Sequence, residues 1–202
     1  MTNRDDELMD EALGEARKSL DVDEFPVGAV VVLDDEVVTR AHWKGAAQRR
    51  LLDHAEMLAL LEAERGGKVS RRRERQEATL YTTLEPCALC MTAAMSFLLG
   101  RIVFALEAPV DGGTNLPALW EPPNGHPPDG MPYTIPSVIG GVGCEASAAL
   151  VAEWVRRDPT RRWAAPYIPE RSRFFRWLGP LSNGRCRDYA WSGRRERASK
   201  NM

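Results

Sequence analysis

Apolar residues recur at helical spacing from Asp5 to Leu20. Leu8, Met9, Ala12, Leu13, Ala16 and Leu20 fall on one face, with charges between them. This predicts an opening helix that covers one side of a sheet. The period then changes. Phe25 to Leu33 is a nearly continuous apolar run, as a strand buried on both faces requires; Asp34-Asp35 supplies a turn, and Glu36 to Trp43 returns as a second strand. Gly28 offers a close approach to the backbone, so Phe25 to Gly28 either lines a ligand site or forms a plain core hairpin. Lys44 to Asp53 is a polar loop. His54 to Glu64 reads as a helix capped by Asp53, with Met57, Leu58, Leu60 and Leu61 directed inward. Gly66 to Gln76 carries Arg71-Arg72-Arg73-Glu74-Arg75 and reads as a mobile, solvated insertion, with phosphate contact as the alternative.

The second half continues the alternation. Ala78 to Thr82 is a third strand, and Cys87 to Leu99 a helix with Met91, Ala94, Met95 and Leu98 inward. Arg101 to Leu106 is a fourth strand. Ala108 to Pro136 is rich in Gly and Pro and reads as a long loop, of a length that suggests an active-site cover. Within it Trp120 either stacks on a bound base or packs on the surface. Ser137 to Val142 is a fifth strand and Glu145 to Arg156 an amphipathic helix, preceded by Cys144 as a small buried residue. A hairpin followed by helix, strand, helix and strand predicts an α/β layered fold with parallel pairing after the hairpin. Both middle helices then begin at the same edge of the sheet, which brings His54 to Cys87 and Cys90.

The 202 residues are 44% hydrophobic and 28% charged, enough for one domain with a sizeable core plus extensions. A formal net charge of −2 gives no general basic field for nucleic acid, although a local patch is compatible with it. The acidic start, Met1 to Glu7, is not a signal peptide, and no apolar run approaches the length of a membrane span. Four cysteines do not suggest a disulfide framework, and thiolate ligands suit a reducing cytoplasm.

The candidate chemistry lies in His54-Ala55-Glu56 and Pro86-Cys87-Ala88-Leu89-Cys90. Two cysteines three apart at a helix start place both thiols on one face, and His54 supplies a third bond to a metal. Three protein ligands leave a fourth tetrahedral position for water, whose pKa zinc lowers to about 7. A carboxylate at Glu56 need not bind metal and can carry the proton. The rival reading of Cys-x-x-Cys is a redox pair, against which Pro86 and the upstream His-x-Glu argue. His42 and His126 have no such partners in the sequence and read as structural.

These motifs, with Val27-Gly28-Ala29-Val30-Val31-Val32, His54-Ala55-Glu56-Met57 and Thr83-Leu84-Glu85-Pro86-Cys87, resemble the zinc-dependent cytidine deaminase-like superfamily. The branch resembled holds tRNA adenosine deaminases, guanine deaminases and yeast-type cytosine deaminase. The resemblance covers roughly residues 5–157. It implies a three-layer α/β/α fold around a mixed five-stranded sheet. It implies hydrolytic deamination with one Zn2+ per chain held by His54, Cys87 and Cys90, and a proton carried by Glu56 from the attacking water to the base and then to ammonia. It also implies a homodimer. Residues 1–157 form the deaminase domain, and 158–202 an extension. Trp163 to Pro169 and Phe174 to Leu178 in it are aromatic enough to pack, and Gly179 to Met202 reads as loose and basic.

One departure bears on substrate. The branch normally carries an Asn after an aromatic residue at the end of the second strand, in contact with the base. Here Lys44 follows Trp43, and no Asn occurs between residues 4 and 114. A charged Lys cannot accept a hydrogen bond. Phe25, Lys44 and Ala55 are the candidate substrate contacts. The altered pocket ranks a small heterocycle (nucleobase, nucleoside or relative) ahead of a tRNA adenosine. A non-catalytic zinc-stabilised partner subunit is the reading from another class, and a fourth ligand from Cys144 or Cys186 would favour it.

Overall fold

The computed structural model describes residues 3–126, 132–158 and 160–167. Helix α1 (Asn3–Asp21) leads into a hairpin of β1 (Gly28–Leu33) and β2 (Glu36–His42). Three helices follow: the short α2 (Gly45–Gln48), α3 (Ala55–Arg65) and α4 (Arg72–Glu77). Then come β3 (Thr79–Leu84), α5 (Ala88–Phe97), β4 (Arg101–Leu106), the short α6 (Leu116–Leu119), β5 (Ser137–Gly140) and α7 (Cys144–Arg157), before a 3-10 turn at Arg162–Tyr167. The strands form a five-stranded sheet in the order β2-β1-β3-β4-β5. β1 is antiparallel to both β2 and β3, whereas β3, β4 and β5 run parallel. The fold is the mixed three-layer α/β/α arrangement. Among the described residues, no helix is long and apolar enough to cross a membrane.

The alternation of β1 explains the layers. Val30 and Val32 face α1 and α7; Ala29 and Val31 face α3 and α5. Both faces are covered, so the strand is apolar throughout. Gly28 serves this packing. A Cβ there would lie 2.2 Å from the Ala12 carbonyl oxygen and 2.3 Å from the Ala16 nitrogen, so the close approach is that of the α1 backbone and not of a ligand.

Several boundaries differ from expectation, each for a local reason. β1 begins at Gly28 because Pro26 has no N–H and the Val27 N–H turns back to the Phe25 carbonyl. Asp53 does not cap α3. His54 itself occupies that position in an extended conformation, and the Asp53 carboxylate faces Arg50 at 3.4 Å. On α3 the inward face is made by Ala55, Glu56, Ala59, Leu60 and Ala63, whereas Leu61 is exposed: small residues let the helix lie close on the sheet. On α5, Phe97 and Leu99 are buried and Leu98 takes a left-handed turn that ends the helix. The Arg71 to Arg75 insertion contains a short helix. Glu74 accepts hydrogen bonds from the Ser70 and Arg71 N–H groups, and Glu77 and Glu64 take up Arg73 and Arg75, so the run is largely neutralised. Ala164 and Tyr167, past residue 157, are buried in the same cluster as α1 and α7. The Phe174 to Leu178 stretch, Cys186 and the basic tail lie outside the described residues.

A buried ion pair ties α1 to the sheet. Asp5, 3% exposed, accepts from Tyr81 Oη at 2.7 Å and from both terminal nitrogens of Arg101 at 2.9 Å. Burial and the Asp5 charge push the Tyr81 phenol up to about 12. Asp5→Ala strips Tyr81 and Arg101 of their acceptor at once. Since Arg101 keeps some access to water, the expected loss is about 2–3 kcal/mol. Urea unfolding should show it as a lower midpoint with an unchanged slope; an unchanged midpoint would mean that the pair contributes nothing net.

Candidate active site

The N-terminal ends of α3 and α5 meet at the edge of the sheet. His54 is the N-cap residue of α3 and Cys87 that of α5, and neither makes a side-chain capping bond. Their side chains turn toward each other instead. His54 Nδ1 lies 3.6 Å from Cys87 Sγ and 3.4 Å from Cys90 Sγ, and the two sulfurs are 3.7 Å apart. A tetrahedral ion with zinc–sulfur bonds of about 2.3 Å and a zinc–nitrogen bond of about 2.0 Å would set its ligands about 3.8 Å (S to S) and about 3.5 Å (N to S) apart. The trio therefore fits zinc as it stands. Among the described residues it is the group of His, Cys, Asp and Glu side chains arranged to hold a metal. Cys144 is buried in the first turn of α7 and is not part of it.

The surroundings fix this geometry. A backbone hydrogen bond to Leu51 holds the His54 ring, and Trp43 packs against it edge-on at 5.1 Å between centroids. The Cys87 and Cys90 sulfurs are within hydrogen-bond distance of each other. That contact holds the Cys87 thiol down to about 4, while the Cys90 thiol is driven up. Glu56, one residue inside α3, is 4% exposed, and burial pushes its carboxyl up to about 7. This is the range in which a carboxyl can both take and return a proton.

These groups open into a cavity of about 240 Å³. Phe25, Val27, Trp43, Leu84 and Trp154 form apolar walls, and His54, Ala55, Glu56 and Cys87 one end. The remaining polar lining is acidic: Glu24, Glu85 and Asp111. Of the three expected substrate contacts, Phe25 and Ala55 line the cavity. Lys44 does not; it sits at the N-cap of α2, while its neighbours Trp43 and Ala46 face inward. Trp120 lies outside the lining and packs on Tyr133 at 4.8 Å and His126 at 6.0 Å, which is the surface-packing reading. His42 is a structural partner of Glu15.

Comparison with known proteins agrees with this geometry. The family model of the cytidine and deoxycytidylate deaminase zinc-binding region matches residues 2–106. The chain belongs to this zinc-dependent deaminase family. A tRNA-specific adenosine deaminase of Bacillus subtilis is 34% identical over 164 residues, spanning 80% of this chain and 95% of that protein. A solved structure from a study of deaminases that edit adenosine to inosine at the wobble position of transfer RNA superposes with a TM-score of 0.60 at 28% identity, covering 71% of this chain and 98% of the other. A protein solved with 8-azaguanine superposes at a TM-score of 0.58 over 76% of this chain and 85% of its own, at 21% identity, and shares the fold. This member of the deaminase family is thus a zinc-dependent hydrolase.

Sequence reasoning missed Asp111, Trp154 and Tyr167 as lining residues. Asp111 lies in a Gly-rich loop with no motif around it. Tyr167 belongs to an aromatic segment whose packing was expected, but not its destination.

Proposed function

We propose that the chain hydrolyses the amino group of an adenosine presented in a tRNA loop, with His54, Cys87 and Cys90 as metal ligands and Glu56 as the catalytic acid–base. One observation carries this reading: the match to the Bacillus subtilis enzyme runs over nearly the whole of that protein. It reverses the ranking drawn from the pocket residues alone. Zinc, when bound, supplies a Lewis acid that brings the pKa of the attacking water toward neutrality. Glu56 takes a proton from that water and places it on the ring nitrogen beside the amino-bearing carbon. Glu56 then takes the remaining proton from the hydroxyl now on that carbon and gives it to the departing amine, so that water and amine become carbonyl and ammonia. Phe25, Val27 and Trp43 sandwich the base, and the backbone at Ala55 orients it. Residues 1–157 form the catalytic domain and 158–202 an extension of it. A homodimer in the cytoplasm belongs to the same reading, with exposed Leu51 and Leu52 as apolar surface for the second copy.

A free heterocycle is the second reading. It is favoured by Lys44, which stands where the branch has Asn and leaves the cavity without an amide at that wall. Ammonia release from the zinc-loaded protein separates the two, with an anticodon stem-loop set against free bases and nucleosides and Glu56→Ala as control. Turnover of the stem-loop alone supports the tRNA reading; turnover of a free heterocycle alone overturns it.

The loop beside the cavity mouth carries Arg49 and Arg50, both exposed, and Arg49 has no carboxylate partner among the described residues. If an RNA strand crosses this loop, Arg49→Ala should lower the slope of log affinity against log salt by about 0.7–1. An unchanged slope would place the strand elsewhere.

A further inference from the structure

We propose that Asp111, held by Tyr167, is the specificity-determining acceptor of this cavity and selects substrates that present an N–H or O–H donor on the edge away from the reacting carbon. The inference rests on the deaminase reading of the same cavity.

Asp111 is fixed from both sides. The loop that carries it is clamped to the cysteine motif: Glu85, 2% exposed, accepts from the Ala108 N–H at 3.1 Å and from the Thr114 hydroxyl, and the Gly113 N–H donates to the Pro86 carbonyl at 2.7 Å. A Cβ on Gly113 would come within 2.6 Å of the Ala88 nitrogen, so the loop rests on the first turn of α5. The backbone of Asp111 is thereby set relative to Cys87. Its side chain is set by the C-terminal segment. Tyr167, buried and packed edge-on against Phe25 at 5.8 Å, donates its hydroxyl to Asp111 Oδ1 at 2.7 Å.

That bond uses one carboxylate oxygen. The other has no hydrogen-bond partner among the described residues, and Asp111 is exposed along the cavity wall. An ionised carboxylate only accepts. With the amino-bearing carbon directed to Glu56, the remaining edge of the substrate meets an acceptor that Tyr167 keeps from rotating away. A ring nitrogen lone pair or a carbonyl is disfavoured there; an amino group, a ring N–H or a ribose hydroxyl is favoured. These donors share one chemistry and come from two sources, the base or the sugar.

Two matched pairs tell the sources apart. 2,6-Diaminopurine and adenine differ by a base amino group; adenosine and 2′-deoxyadenosine differ by a ribose hydroxyl. With full-length zinc-loaded protein, one pair should discriminate by about 10- to 100-fold in favour of the donor, as expected for a hydrogen bond to a charged group. In Asp111→Asn, Tyr167 keeps the amide oxygen and the cavity receives an NH2, so that preference should collapse to within about threefold, while zinc content stays unchanged. Tyr167→Phe should raise KM for the donor-bearing member by about 3- to 10-fold and leave kcat unchanged, the mark of a positioning residue. The same pairs titrated calorimetrically into Glu56→Gln protein read binding without turnover. Discrimination lost in Asp111→Asn supports the proposal even if the wild type turns over none of the four compounds, in which case the free-heterocycle reading falls and the tRNA reading stands. Equal discrimination with and without Asp111, or none in either pair, overturns it.

Discussion

Glu56→Gln is expected to retain a full complement of zinc and to cut turnover by at least about 10²- to 10⁴-fold, the usual contribution of a positioned acid–base group. The amide matches the carboxyl in size, so the cavity and the start of α3 are preserved. It cannot take a proton, so the water is not activated and the ring nitrogen not protonated. A second readout separates this chemistry from damage to the fold. Burial raises the Glu56 carboxyl from the ordinary 4.5 to about 7. A carboxyl with a folded pKa above its unfolded value stabilises the fold below the unfolded pKa and loses that contribution as pH rises through the folded one. The metal-free wild type should therefore weaken between about pH 4.5 and 7, by up to roughly 3 kcal/mol. Glu56→Gln should escape this loss and melt higher than wild type at pH 8. Turnover retained in a zinc-loaded Glu56→Gln protein would refute the assignment.

Cys90→Ala should abolish both zinc retention and activity. Its sulfur is the buried member of the trio, and its loss leaves two ligands, a set too small to hold the ion. The drop in affinity should exceed the 10- to 100-fold that removal of an outer-shell partner costs. Metal analysis after dialysis reads it directly. A protonation readout accompanies it. In the metal-free site the Cys87 thiol is held low and the Cys90 thiol is driven up, so one proton stays on the pair. Loading both sulfurs expels it, so zinc titration in weak buffer should release about one proton per chain and affinity should climb with pH. Zinc retained by Cys90→Ala would mean that another residue completes the site.

The metal centre was legible because its information is local. Two cysteines three apart at a helix start share a face whatever the rest of the chain does, and His-x-Glu sets a ligand beside a carboxylate at the start of another helix. The strand pattern showed that both helices begin at one sheet edge, and the hairpin and parallel order followed from period and connection alone. What lay beyond reach was the far wall of the cavity. Tyr167 and Asp111 are 56 residues apart and meet only because α7 turns the C-terminal segment back over Phe25. Nothing in Asp-Gly-Gly marks the Asp as a cavity residue. Lys44 shows the opposite case. Its position in the pattern suggested a contact, yet the turn into α2 carries its side chain off the lining while its neighbours remain. Asp53 likewise has the composition of a cap, but the need to aim His54 at the cysteines puts the imidazole at the cap position instead.

The division of the core between two faces has a consequence for how the chain is made. The face with α3 and α5 is assembled almost wholly from residues 27–106 and can close while the rest is still being synthesised. The face with α1 cannot. Its apolar stripe docks on β1 and β3 as they form, but the flank beside β4 waits for α7, whose Trp154 indole and Arg157 reach the Asp23 and Leu20 carbonyls more than 130 residues later. During that interval Val103 and Ala105 on β4 lack the cover that α7 provides. A ribosome-stalled chain ending before Cys144 should thus bind hydrophobic dyes and chaperones strongly, and the signal should vanish once α7 has cleared the exit tunnel.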